Sequence, residues 1–211
     1  MKRSITLTVI LATCLLPCEP ATGRPVSYPG GWTVMQMHNR ANTSVHLHYS
    51  PTARHSIGVR ALHSREEDVF ALMFQSNTLL GRVNRPGSQA NLYLKWAAGA
   101  GFEDDNALPA AFAGVSADWE TRRLFVRYEN RAKALGKAGK SFTQSARVGI
   151  APYLAEFGSL HTWLMLEVAH YPETGDEIEV TPVARFFKNA LLAEVGYSIN
   201  GKLTLNFIRR F

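Results

Sequence analysis

The stretch Thr162-Trp163-Leu164-Met165-Leu166-Glu167-Val168-Ala169-His170 places Leu164, Leu166 and Val168 on one side of an extended chain and Trp163, Met165 and Glu167 on the other. Successive side chains of a strand point to opposite faces, so this alternation reads as β-structure. The same period runs outward in both directions. Residues 122–132 oppose Leu124, Val126 and Tyr128 to Arg123, Arg127, Glu129 and Arg131, and residues 89–101 oppose Leu92, Leu94 and Trp96 to Asn91, Tyr93 and Lys95. From Trp32 to Phe211 almost no segment sustains the i, i+3, i+4, i+7 spacing of an amphipathic helix.

The alternating segments fall at about 32–38, 44–50, 56–63, 69–77, 89–101, 110–120, 122–132, 142–153, 162–170, 177–187, 191–198 and 203–211, about twelve in all, an even number. Between them lie turn residues: Asn39-Arg40-Ala41-Asn42, Ser50-Pro51-Thr52, Arg85-Pro86-Gly87-Ser88, Pro172 to Asp176, and Ile199-Asn200-Gly201-Lys202. Asn200-Gly201 is the strongest hairpin signal among them, because a tight primed turn needs positive φ at its centre. Short connections pair neighbours antiparallel in chain order. A meander of that many strands closes into a barrel or leaves long edges exposed, so the expectation is an all-β, antiparallel up-and-down barrel.

Composition bounds the alternatives. The chain has 211 residues, 46% hydrophobic and 19% charged, which excludes collagen-like, coiled-coil and disordered chains. Met1-Lys2-Arg3, the apolar run Ile5 to Leu16, and Ala21-Thr22-Gly23 follow the order of a secretory signal peptide. Residues 1–23 are therefore expected to be removed, leaving residues 24–211 as the barrel. Both cysteines, Cys14 and Cys18, lie in the removed segment, so the exported chain holds no disulfide. The net charge of +6 is spread along the chain, with no basic run longer than Arg122-Arg123 or Arg209-Arg210. Nucleic acid is thus not an expected partner.

Alternation alone fits either a membrane barrel, apolar outside, or the inverse, a soluble periplasmic barrel binding a small apolar ligand within. Three features favour the membrane. Trp32, Tyr49, Phe70, Phe102, Trp119, Phe142, Tyr153, Tyr171, Phe186, Tyr197 and Phe211 cluster at strand ends as interfacial girdles. The apolar faces carry consecutive large residues without an intervening charge. The last strand ends on an aromatic residue, Phe211.

That last strand, Leu203-Thr204-Leu205-Asn206-Phe207-Ile208-Arg209-Arg210-Phe211, resembles the C-terminal strand of Gram-negative outer-membrane β-barrel proteins. Leu203, Leu205, Phe207 and Phe211 fit its apolar row, and Arg209 departs from it. The resemblance implies location in the outer membrane, contact with its lipid, and recognition of Phe211 by the barrel-assembly machinery. Ser88 to Lys95, Ser145 to Tyr153 and His161 to Leu166 are similar to a family of small exported proteins associated with heavy-metal and copper efflux neighbourhoods. This implies efflux components as partners and a link to metal resistance, with no catalytic residue or defined substrate.

Five of the seven histidines, His38, His46, His48, His55 and His63, fall early in the chain, near Met35 and Met37. With the first turn centred on Ala41, residue 38 pairs with 44, 36 with 46, and 34 with 48. His38, His46 and His48 then share the polar face with Gln36 and Ser44, while Met35 and Met37 join Val45, Leu47 and Tyr49 on the other. This leaves a three-histidine patch for copper or zinc, or else lumen histidines bonded to polar neighbours. No other cofactor is implied.

Ser159, His161 and Glu156 bring a nucleophile, a base and a carboxylate close in sequence, but in a turn rather than on one strand face. No enzyme is expected. Asp104 and Asp105 form an acidic loop that would bind a cation or simply be solvated. The interior candidates are Arg60, Lys95, Asp118, Arg127, Glu129, Arg147, Glu167, Arg185 and Glu194, which would set selectivity or fill the lumen with ion pairs. Porins of ordinary width have about 16–18 strands, so this barrel is narrow. The expected function is a monomeric narrow channel or accessory protein for small polar or cationic solutes.

Overall fold

A computed structural model describes residues 26–65, 67–103, 106–136, 139–173, 175 and 177–211. The expected signal peptide, residues 1–23, and the pair Asp104 and Asp105 lie outside the described residues. Twelve strands follow one another: β1 (Trp32–His38), β2 (Asn42–Tyr49), β3 (His55–Ser64), β4 (Val69–Arg85), β5 (Ser88–Glu103), β6 (Asn106–Thr121), β7 (Leu124–Leu135), β8 (Gly139–Ile150), β9 (His161–Tyr171), β10 (Glu177–Lys188), β11 (Leu191–Tyr197) and β12 (Leu203–Arg210). Each pairs antiparallel with its chain neighbours, and β12 returns to β1, closing the barrel. Closure extends past β12. Phe211 N–H donates to Trp32 O at 2.9 Å and Trp32 N–H to Phe211 O at 3.1 Å.

Burial decides which way the alternation faces. Val45, Leu47, Val59, Leu72, Phe74, Leu94, Trp96, Val126, Val148, Leu164, Leu166 and Val168 are exposed on the outer wall. Arg60, Asn77, Asn91, Ser116, Arg147, Glu179 and Glu194 are buried within it. Apolar outside and polar inside is the arrangement of a transmembrane β-barrel, and the inverted, apolar-lumen arrangement is not the one found. Trp32 and Tyr49, paired in register with rings 5.1 Å apart, mark the end where β1 begins and β12 stops. Phe70 and Phe102, also paired, mark the opposite end. Tyr171 departs from the expected girdle: it points inward, 7% exposed, against Ala41 and Ala169.

β4 is longer than expected. It continues through Leu79-Leu80 because the register slips between Leu79 and Gly81, a bulge that absorbs the residue breaking the alternation. The Asn200-Gly201 turn forms, but as a three-residue loop, Ile199 to Gly201, rather than a tight primed turn: of its central pair only Gly201 has positive φ, 74°, with Gly201 N–H donating to Ser198 O at 2.9 Å and Ser198 N–H to Lys202 O at 2.8 Å.

The first turn differs from expectation, and the difference moves a whole face. Asn39 N–H donates to Asn42 O at 2.9 Å, while the Asn39 side-chain oxygen accepts from Ala41 N–H and Asn42 N–H at 3.1 and 2.9 Å. The loop is therefore two residues, Arg40 and Ala41, closed by an Asx turn. His38 pairs with Thr43, Gln36 with Val45 and Met35 with His46. A one-residue change in register turns every side chain of a strand over. Met35 and Met37 therefore face the interior beside His46 and Ser44, and His38 faces outward.

Inside, the wall is filled unevenly. Toward the terminal end, Val26 packs with Leu79 and Tyr93, and Phe125 with Met165, Val183 and Trp163. Toward the far end, Leu62, Val69, Ala71, Met73, Ala97, Ala110, Phe112 and Leu135 form an apolar cluster against β3–β7. The remaining far-end space is a cavity of about 140 Å³, bounded by the first turn, Ser141, Thr143, Tyr171 and Asn206.

Candidate functional site: the charged interior

All nine interior candidates face inward, and the strands bring most of them into contact. Arg147 and Glu167 are direct register partners on β8 and β9, as are Arg185 and Glu194 on β10 and β11. Arg147 Nη2 lies 2.8 Å from Glu167 Oε2 and its Nη1 lies 2.9 Å from Glu194 Oε1. Arg127 Nη2 reaches Glu167 at 3.0 Å, Arg185 Nε reaches Glu194 at 2.6 Å, and Asn206 Nδ2 donates to Glu194 at 2.7 Å. One continuous network thus joins six adjacent strands, β7 to β12. A second unites Lys95, Glu129 and Arg131, with Glu129 accepting at 2.8 and 3.0 Å. Asp118 stands in a third, accepting from Asn91 Nδ2 at 2.7 Å, while Asn91 Oδ1 accepts from Arg82 Nε at 2.8 Å.

Such pairs are expensive to desolvate and recover that cost only when the geometry satisfies both partners. Their effect is to fix the interior rather than to add much net stability. Two arginines also clasp one ring: Arg60 Cζ lies 5.0 Å and Arg131 Cζ 4.6 Å from the Phe112 centroid. Arg185 lies likewise against Phe125, at 4.7 Å.

Arg131 and Lys133 are interior cations outside the sequence-derived set. Both keep the parity of Arg127 and Glu129, a signal already in the alternation. Lys133 Nζ bridges Glu67 at 2.9 Å and donates to Ser64 Oγ at 2.8 Å. Arg40 in the first turn bridges Glu177 at 2.6 Å and lies over the Tyr171 ring. Its partners are far off in sequence, and nothing local announces them.

The expected three-histidine patch is not assembled. His46 and His48 lie inside with ring centroids 5.7 Å apart. His38, turned outward by the two-residue loop, bonds Thr43 Oγ1 at 2.9 Å and meets the Arg65 guanidinium. Among the described residues no group of three His, Cys, Asp or Glu side chains is arranged to hold a metal ion. Ser159 N–H donates to Glu156 O at 3.1 Å, a backbone bond, and the His161 ring lies 6.1 Å from that of Phe187.

The cavity takes its character from the networks that floor it. Five of its lining residues are basic, Arg60, Arg127, Arg131, Lys133 and Arg147, against two acidic, Glu129 and Glu167. The first turn, Ser44, Ser141, Thr143 and Ser145 supply further polar groups.

No family model matches the chain, and no curated protein is significantly similar to it in sequence. Among solved structures, the KdgM porin in complex with disordered oligogalacturonate superposes with a TM-score of 0.52 at 7% identity. The match covers 86% of this chain and 98% of that one. At that identity the likeness is one of fold alone, that of a closed antiparallel β-barrel.

Proposed function

We propose that this protein is an outer-membrane channel whose far-end cavity admits small anionic solutes. The excess of basic over acidic side chains around the cavity carries the reading, because a low-dielectric wall focuses the field of its charges on the solute path. The porin fold supports a channel, and the apolar outer wall with aromatic ends suits a bilayer. Both termini of the barrel lie at one end, which in this reading faces the periplasm and leaves the cavity open to the outside. The solved porin neighbour holds oligogalacturonate, a polymer of carboxylate sugars, and this agrees with the sign of the charge.

The lining charge favours anionic solutes, where the sequence suggested small polar or cationic ones. The separation of His38 from His46 and His48 removes the ligand set on which a metal role rested. Reversal potential under a salt gradient in planar bilayers tests the proposal. Anion selectivity is expected, and cation selectivity or absence of conductance from folded protein would overturn it.

A further inference from the structure

Arg60 is built unlike the other cations of the belt. Lys95, Arg127, Arg131, Lys133, Arg147 and Arg185 each reach a carboxylate within 3.0 Å. Arg60, only 3% exposed, makes one hydrogen bond, from Nη2 to Ser44 Oγ at 3.3 Å, and its Nε and Nη1 meet no acceptor. Burying a guanidinium without a carboxylate is costly, and buried donors left unmade cost more than a made bond returns.

The groups beside it are in the same condition. His46, the register partner of Arg60, bonds Ser44 Oγ through Nε2 at 2.8 Å and leaves Nδ1 unpaired. His48 bonds Ser56 Oγ through Nδ1 at 3.3 Å and leaves Nε2 unpaired. A hydroxyl has one proton to give. Ser44 Oγ, which accepts from Arg60, either donates to His46 Nε2, placing the ring proton on Nδ1, or accepts from it through its second lone pair, placing the ring proton on Nε2. Ser56 Oγ accepts from Asn77 Nδ2 at 3.2 Å and stands in the same two-way relation to His48 Nδ1. Among the described residues, the three N–H groups on Arg60 Nε and Nη1 are thus buried without acceptors, one ring nitrogen each of His46 and His48 is buried beside them without a partner, and no carboxylate bonds any of the three side chains.

We propose that Arg60, His46 and His48 form a binding site for a small oxyanion, a carboxylate or a phosphate, reached through the cavity that Arg60 and Ser44 line. The site rests on the anionic reading of the cavity and gives it a specific seat. An oxyanion supplies the several lone pairs these donors lack, and the guanidinium fork matches its planar or tetrahedral oxygens. A metal cation is disfavoured there by the charge of Arg60.

The test follows the ring ¹⁵N signals of His46 and His48 in the folded barrel in nonionic detergent. Sodium glucuronate and, separately, inorganic phosphate are added at constant ionic strength. Saturable shifts with at least one probe are expected, and which probe acts separates a sugar acid from free phosphate. Arg60→Gln is expected to weaken binding by about tenfold or more, and Arg60→Lys by less. Heat-modifiable gel migration verifies that each variant is folded, and Arg60→Lys serves if Arg60→Gln does not fold. Absence of saturable shifts with both probes, or affinity unchanged in the folded Arg60 variants, overturns the site. Anion-selective conductance without such shifts would remove this site and leave the cavity reading standing. Cation-selective conductance would remove the cavity reading, while the histidine titration would still decide on Arg60 by itself.

Discussion

Arg147 and Glu194 meet at 2.9 Å inside the barrel although β9 and β10 stand between their strands in the wall. Their side chains are 2% and 5% exposed. The bond is therefore a chord across the interior, and it ties the β8–β9 side to the closing strands. Removing one partner leaves the other charged and buried. Arg147→Met is expected to destabilise the barrel by about 3–5 kcal/mol. Urea unfolding followed by tryptophan fluorescence measures it, and an unchanged midpoint would show that the network is solvated.

Arg60 gives the opposite expectation. With no carboxylate bonded to it, and only the Ser44 hydroxyl and the Phe112 ring against it, Arg60→Met removes a poorly compensated charge and is expected to raise stability by about 1–2 kcal/mol in the same assay. A stabilising loss of a buried arginine is the mark of a residue kept for binding rather than folding. A lower midpoint would assign Arg60 a structural role.

The β3–β4 turn has its own pH dependence. Burial by itself would raise the Glu67 carboxyl, but hydrogen bonds from Ser64 and Lys133 and the Lys133 charge hold it below the usual carboxylate range. A depressed folded value contributes stability above the unfolded value of about 4.3, lost as pH falls through the folded value. Amide exchange in residues 64–69 is expected to accelerate below that pH in the wild type. In Lys133→Met this acid-dependent part is expected to shrink. Equal acid profiles in the two proteins would contradict the assignment.

Much of this arrangement was legible in the alternation, and the failures have physical causes. Period 2 identified the strands and set Arg147, Glu167 and Glu194 on the polar side, because one face of each strand meets lipid and the other does not. It could not fix pairing where the loop is ambiguous. Asn39 to Asn42 reads equally well as a three-residue or a two-residue turn, and only the Asn39 side-chain bonds choose the latter. His38, Met35 and Met37 were misplaced together for that single reason. The Arg40 bridge to Glu177 and the unpaired state of Arg60 depend on strands distant in sequence, which no local pattern reports.

That register can be tested chemically. With Cys14 and Cys18 replaced by serine, Gln36→Cys/Val45→Cys is expected to crosslink on mild oxidation, because these residues are direct partners. Gln36→Cys/His46→Cys, the pair required by a three-residue loop, is expected to remain reduced, since the two side chains point to opposite faces. The reverse outcome would restore the three-histidine face.

The most direct measurement is the charge preference of the cavity itself. In the Cys14→Ser/Cys18→Ser background, Thr143→Cys places a thiol on the cavity wall. Its reaction rates with an anionic and a cationic methanethiosulfonate of similar size are compared in intact cells, each normalised to a free thiol in solution. A clear preference for the anionic reagent is expected from the excess of Arg and Lys around that wall. A preference for the cationic reagent would contradict the anionic channel.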